Sequence, residues 1–305
     1  MFSSSTITER SKAGKDVAPV SLARRRRRQQ MLTYRLCTLP ALLVTVLVAV
    51  VPMVMLLVMS LIDEDSSAFS ARYYVETLTD PFFMSTLGST LTMAAGVTFV
   101  SIVAAMPLAY LMARSPLFRN VVMPVISVPR MLPFVVVGYA LILLMAPVTG
   151  LFIIWLNALG LVNGPQFFLF SWVGQAIAFS YSGVVVATAV LSGVMMSIDR
   201  QLEQAAVTLG ASPFKAFLRV TLPLTMPGII AASALIFTSI ITAYAVPVIL
   251  NSRVPYMISI LIATNLITLQ QQHLAYAQAV IVTVIALVVV VSAQIALGRY
   301  GKRGA

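Results

Sequence analysis

Met131–Ile198 is a run of 68 residues without one Asp, Glu, Lys or Arg. Four other runs share that character: Leu36–Ile62 (27 residues), Pro81–Ala113 (33), Val220–Ser252 (33) and Leu274–Gly298 (25). A helix needs roughly 20 apolar residues to cross a hydrocarbon core, and each run reaches that length. A soluble domain carries about 25% charged residues, whereas this chain has 10% charged and 60% hydrophobic residues. Inside a bilayer every backbone N–H and C=O must be satisfied internally. The fold class that follows is all-α, a polytopic membrane protein. The 68-residue run cannot be one helix and must hold the end of one span, a connection and another span.

Apolar runs read against polar breaks predict six spans, about 36–61, 84–113, 121–147, 172–196, 224–250 and 274–297. They form a transmembrane domain over 35–298, between a basic arm at 1–34 that we expect to be irregular and a tail at 299–305. The apolar stretch Val254–Leu269 has Pro255 near its start and polar Asn265 and Thr268 within it, so we read it as a connection or surface-lying segment. Charge parity supports this. With six spans, 17 of the 20 Lys and Arg residues fall on one side, with Arg72 and Arg253 opposite and Arg130 within a span. Lys and Arg are enriched in cytoplasmic loops, which predicts both termini in the cytoplasm and an even span count. The Arg24–Arg28 run then sets topology against anionic headgroups and is not a nucleic-acid site. We expect no cleaved signal peptide, because the first apolar run exceeds an h-region and no small-x-small site follows it.

The connections predicted on the outer side differ in kind. One holds Asp63, Glu64, Asp65, Glu76 and Asp80; the other, residues 148–171, has no charge. Within the latter, Leu151–Leu161 predicts a short helix and the NGP at 163–165 a turn. Trp155, Phe167, Phe168, Phe170 and Trp172 flank spans as an interfacial belt.

Reactive chemistry is scarce. The lone Cys37 supports neither a disulfide nor a metal cluster, and the single His273 has no carboxylate close in sequence. No GxxxxGK[ST] loop is present, and no predicted span contains an acidic residue. The chain does not read as an enzyme. Proton-coupled carriers commonly use membrane-embedded carboxylates or His, so a self-contained ion-coupled transporter is the alternative reading and the weaker one. A permease energised by another subunit remains. Arg130 is the one charge at membrane depth. It reads either as a structural Arg among Pro124, Pro129 and Pro133, or as a pathway cation that favours anionic or zwitterionic cargo.

Between the fourth and fifth spans lies a polar island, residues 199–223, on the predicted cytoplasmic side. Asp199 is placed to cap a helix through Leu209, and Gly210 to end it in a left-handed conformation. Leu202, Ala205, Ala206 and Leu209 recur at helical spacing on one face. Ser212-Pro213 starts a second helix, whose Phe214, Phe217 and Leu218 form another apolar stripe. Two short amphipathic helices bent at Gly210 read either as a loop that packs on its own protein or as a knob that fits a partner's groove.

QAAVTLGASPFKAFLRVTLP (204–223) resembles the EAA loop of permease subunits of binding-protein-dependent ABC importers. The Ala pair is Ala205-Ala206, the glycine is Gly210, and nine residues lead to Val220-Thr221-Leu222-Pro223. Gln204 stands at the usual Glu position, with Glu203 one place earlier, and Val220 stands for Ile. The resemblance implies the MetI-like fold over nearly all of 35–298. The stretch ASPFKAFLRVTLPLTMPGI is most similar to spermidine/putrescine-type permeases, whose relatives serve aminoethylphosphonate and other small polar solutes. It further implies an inner-membrane subunit paired with a second permease, docked on two ABC ATPase subunits that bind the ATP, and served by an extracytoplasmic solute-binding protein. No cofactor is implied in this chain. The residues implied to couple to the ATPase are Glu203, Gln204, Ala205, Ala206, Gly210, Phe214, Phe217, Leu218 and Pro223, with Gly210 allowing close backbone approach. Whether Glu203 takes over from the missing Glu is left open by the sequence.

Overall fold

The computed structural model describes residues 20–64, 68–161, 171–250 and 256–301. Among them the chain is built from helices, with one isolated bridge between Ile62 and Phe69 as the only extended pairing. It divides into two units, α1 up to Leu56 and the chain from Leu57 onward. Among the described residues, five helical segments are individually long and apolar enough to cross a membrane: Leu42–Met59, Pro81–Arg114, Trp172–Ser197, Pro213–Ile241 and Gln272–Arg299.

The first unit is helix α1 (Val20–Met59). It begins well inside the arm expected to be irregular, so Arg24–Arg28 lie on a helix. Arg, Gln, Leu and Ala are all good helix formers, which accounts for the difference. Its apolar residues from Leu42 to Val58 are exposed apart from half-buried Leu56, as a lipid-facing surface requires.

In the second unit, α2 (Arg72–Thr79) is a short helix within the acidic connection, which the hydropathy pattern does not reveal. Asp80 then caps α3 (Pro81–Arg114), accepting from the N–H groups of Phe82 (2.9 Å) and Phe83 (3.2 Å), with Pro81 in the first turn. Replacing Asp80 by Ala should lower the thermal midpoint in detergent by an amount equivalent to about 1 kcal/mol, the usual worth of such a cap.

Two expected spans are broken. The third becomes α4 (Pro116–Met131) and α5 (Phe134–Met145), parted at Leu132-Pro133. Proline lacks a donor and pushes the residue before it out of the helical region. The fifth ends as α10 (Leu222–Ile241), and a short α11 (Ala245–Ile249) resumes after Thr242–Tyr244. Pro247 has no N–H to offer the carbonyl of Ala243. The hydroxyl of Ser259 donates to that carbonyl instead, at 2.5 Å.

The Val254–Leu269 run yields α12 (Ile258–Ala263) and a π-turn (Thr264–Thr268), too short to cross. The N–H of Ile258 donates to Thr90 Oγ1 (3.0 Å), and the Asn265 amide donates to Gln278 of α13 (Gln272–Gly301) at 2.9 Å. A short helix α6 (Leu151–Ala158) stands where one was expected. The NGP turn, Phe167, Phe168, Phe170 and Arg253 lie outside the described residues.

The core lies among α3, α7 (Trp172–Ser197), α10 and α13 (Gln272–Gly301). Small residues set the helix spacing, as usual where lipid removes any hydrophobic drive for helices to associate. A Cβ on Gly183 of α7 would collide with the Ser101 hydroxyl of α3, and one on Gly228 of α10 would come within 2.9 Å of Val194. Buried Thr90 and Thr225 donate to carbonyls one turn back, Thr86 (2.8 Å) and Thr221 (2.7 Å), keeping these hydroxyls satisfied away from water. The outward faces are apolar, including Phe99, Val103, Leu287 and Val288.

Candidate coupling site at the polar island

The island folds as its residues foretell. Asp199 caps α8 (Arg200–Thr208), accepting from the N–H of Gln201 at 2.9 Å. At the other end the N–H of Gly210 donates to Val207 (2.9 Å) and that of Ala211 to Ala206 (3.0 Å), a Schellman closure. Gly210 has φ +89°, a conformation that side chains disfavour. Among the described residues nothing stands within 4 Å of the position of a Cβ there. Within the chain the glycine serves the turn. Ser212 then caps α9 (Pro213–Ala216), with Pro213 in its first turn.

α9 passes into a π-turn, Phe217–Thr221, that runs directly into α10. Its closing bond joins the N–H of Leu222 to the carbonyl of Phe217. Such wide turns are rare and often mark functional places. The π-turn divides the expected stripe in two. Phe214 and Leu218 are exposed, whereas Phe217 faces inward and meets Tyr110 of α3 edge to face, ring centroids 5.1 Å apart.

The candidate residues also part by direction. Gln204, Ala205, Gly210 and Pro223 are exposed, and Ala206 is half-buried. Glu203 turns inward. Its Oε1 accepts from Arg114 Nη2 (2.5 Å) and from the Thr221 hydroxyl, and its Oε2 accepts from the Tyr110 hydroxyl (3.2 Å). Arg114 also donates through Nη1 to the carbonyl of Ile198 (3.4 Å) and lies over the Tyr110 ring, 5.8 Å from its centroid. The Arg114 and Glu203 side chains are only 10% and 13% exposed.

Burial alone would raise the Glu203 pKa. The hydrogen bonds from Thr221 and Arg114, the charge of Arg114 and the Tyr110 hydroxyl outweigh it and hold the carboxyl below its ordinary value. At neutral pH it is ionised and fully engaged. The island's open surface then carries Arg200, Lys215 and Arg219 against the one capping carboxylate of Asp199, a positive balance, beside exposed Leu209 and Phe214. Sequence reasoning counted Arg114 only as a topology charge and missed Tyr110 and Thr221. The i, i+4 spacing of Tyr110 and Arg114 on one helix face was the available sign.

Arg130 lies on α4, and its side chain is outside the described residues. No group of three or more His, Cys, Asp or Glu able to hold a metal ion occurs among the described residues.

A second feature adjoins the break after α10. A cavity of about 390 Å³ is lined by Phe179, Ser182, Ser239, Thr242 and Tyr244, among others. Ser239 donates to the Leu235 carbonyl (2.7 Å) and Thr242 to that of Thr238 (3.0 Å). Both hydroxyls thus have donated their protons to their own helix.

This packing of helices around a short two-helix loop is the architecture of an ABC importer permease. A bacterial ABC transporter involved in the import of the acidic polysaccharide alginate has the same fold, with TM-score 0.72 at 21% identity over 92% of this chain and 99% of that one. Residues 105–300 match the family described as "Binding-protein-dependent transport system inner membrane component", and the chain belongs to that family. That family is the inner-membrane component of such transport systems.

Curated relatives include the molybdenum transport permease ModB of Escherichia coli (strain K12), 35% identical over 43% of this chain and 55% of ModB. The putrescine transport permease PotI of the same strain is 33% identical over 56% of this chain and 58% of PotI. The probable sulfate transport permease cysT of Nephroselmis olivacea is 28% identical over 74% of this chain and 77% of cysT. The chain spans little more than half the length of the first two relatives.

Proposed function

We propose that the chain is one permease subunit of an ATP-driven importer in the bacterial inner membrane. It has six spans, with both termini and the island in the cytoplasm, α4 and α5 together supplying the third crossing. The observation that carries this reading is the island itself: two capped helices turned at Gly210, presenting Leu209, Phe214 and Leu218 outward on a chain of the permease family. The island seats in a cleft of an ABC ATPase, of which two serve the complex. A second permease completes the pathway, and an extracytoplasmic binding protein delivers the solute. The solved alginate transporter in complex with its alginate-bound periplasmic protein supports that last partner by likeness of fold.

The cargo is a small polar solute, a polyamine or an aminoethylphosphonate-like amine. The names of the relatives do not choose, since they span putrescine, molybdate and sulfate. The cavity favours an amine. Its lining is mostly apolar and carries no Lys or Arg, the hydroxyls of Ser239 and Thr242 have their protons engaged by their own helix, and the C-terminal, partially negative end of α10 adjoins it.

The test is to purify the tagged chain from its native membranes and to assay the preparation for ATP hydrolysis and for uptake of putrescine, aminoethylphosphonate, sulfate and molybdate in vesicles. An associated ATPase with amine uptake is expected. Uptake driven by an ion gradient with no ATPase present would replace this reading with a secondary carrier. Gly210→Val should abolish ATP-driven uptake while the subunit stays folded in the membrane. Its local cost is only that of the left-handed residue, about 1–2 kcal/mol, because no atom crowds the site.

A further inference from the structure

We propose that Arg114 is a positioning residue that fastens the island to α3, so that the two move as one body in the transport cycle. This rests on the reading of the island as the ATPase-docking element. The chain already joins the island to two helices. Asp199 leads into it from α7, and the π-turn runs on into α10. α3 has no such continuity, since Arg114 and Glu203 stand 89 residues apart. Yet α3 packs in the centre of the bundle against both α7 and α10.

Four pieces of chain meet at the Arg114–Glu203 ion pair. α3 brings Tyr110 and Arg114, α8 brings Glu203, the π-turn brings Thr221, and the end of α7 offers the Ile198 carbonyl to the same guanidinium. The wide turn matters to this convergence. Returning it to α-helical winding would shift Thr221 by one residue of register, roughly 100° about the axis, and carry its hydroxyl off Glu203. Arg suits the post because its planar fork reaches a carboxylate and a carbonyl through two separate nitrogens, whereas a Lys would have to reach both from one. A carboxylate spent on three internal donors, Arg114, Thr221 and Tyr110, is not offered to a partner's cation. Glu203 therefore does not replace the missing EAA glutamate. Gln204, exposed on the next position, is what the partner meets.

The test uses the full transport complex in nanodiscs, with Cys37→Ser and spin labels on cysteines placed at exposed Gln201 of α8 and exposed Val103 of α3. The label-to-label distance is measured without nucleotide and with ATP plus vanadate. In the otherwise unaltered complex the distance should stay constant between the two states. In Arg114→Ala it should change on adding ATP and vanadate, as the island moves and α3 lags. The Arg114→Ala/Glu203→Gln pair, which leaves no unpaired carboxylate, should behave like Arg114→Ala and guards against misfolding.

A merely structural ion pair would instead alter the distance equally in both nucleotide states, and that result overturns the proposal. So does a constant distance in the variants, or a nucleotide-dependent distance in the unaltered complex. A chain that purifies without any ATPase overturns the docking reading itself, so the two failures are told apart.

Discussion

Gly183→Leu should remove the subunit from the membrane fraction almost completely, as seen by immunoblot against an unaltered control. α3 and α7 cross where Gly183 meets Ser101. A single Cβ added there collides with the serine hydroxyl, lies 2.9 Å from the serine Cβ and approaches Ile236 to 3.3 Å. Overpacking of a close-packed interior costs about 1–3 kcal/mol for a few methylenes, and here a whole side chain would enter a helix crossing. The smaller Gly183→Ala should lower expression and thermal midpoint without abolishing them. Ser101→Gly in the same chain should restore most of the loss, since it removes the atoms that collide. Failure of that rescue would mean that the crossing is not what limits stability.

Glu203→Gln should destabilise the island end of the bundle by about 2 kcal/mol at neutral pH, the scale of hydrogen bonds to a charged group. The amide cannot accept from Tyr110 at the nitrogen, and it loses the charge that answers Arg114. The pH dependence follows from the depressed pKa of Glu203. A carboxyl held below its unfolded value stabilises the fold above that value and loses its contribution as pH falls through the folded one. The gap between the two proteins should therefore be flat from pH 8 down to the ordinary Glu value of 4.5 and close only in more acid solution. Thermal unfolding of purified protein across that range measures it. A gap that closes between pH 8 and 6 would contradict the ionised, paired Glu203.

Much of this was legible in residues alone. Charge-free runs announce buried or lipid-facing helices because no water reaches the bilayer core to satisfy polar groups. The caps at Asp199 and Ser212 and the left-handed Gly210 follow from local backbone chemistry, which spans only a few residues and so is written in them. The breaks in the third and fifth crossings were less visible. Proline signals an interrupted helix, but whether the helix bends or stops depends on who satisfies the freed carbonyl. At Ala243 the donor is Ser259, 16 residues away.

The amino-acid sequence by itself determined the all-helical membrane class, the place of the island and the two-helix form of that island, because hydropathy and capping act over one or two turns. Only the tertiary structure decided which side chains face outward. Glu203 and Gln204 are neighbours with similar chemistry, and nothing local separates them. Arg114, Tyr110 and Thr221 arrive from distant segments and enclose one of the two. A partly buried charge then draws its partners in, and its neighbour is left in the open.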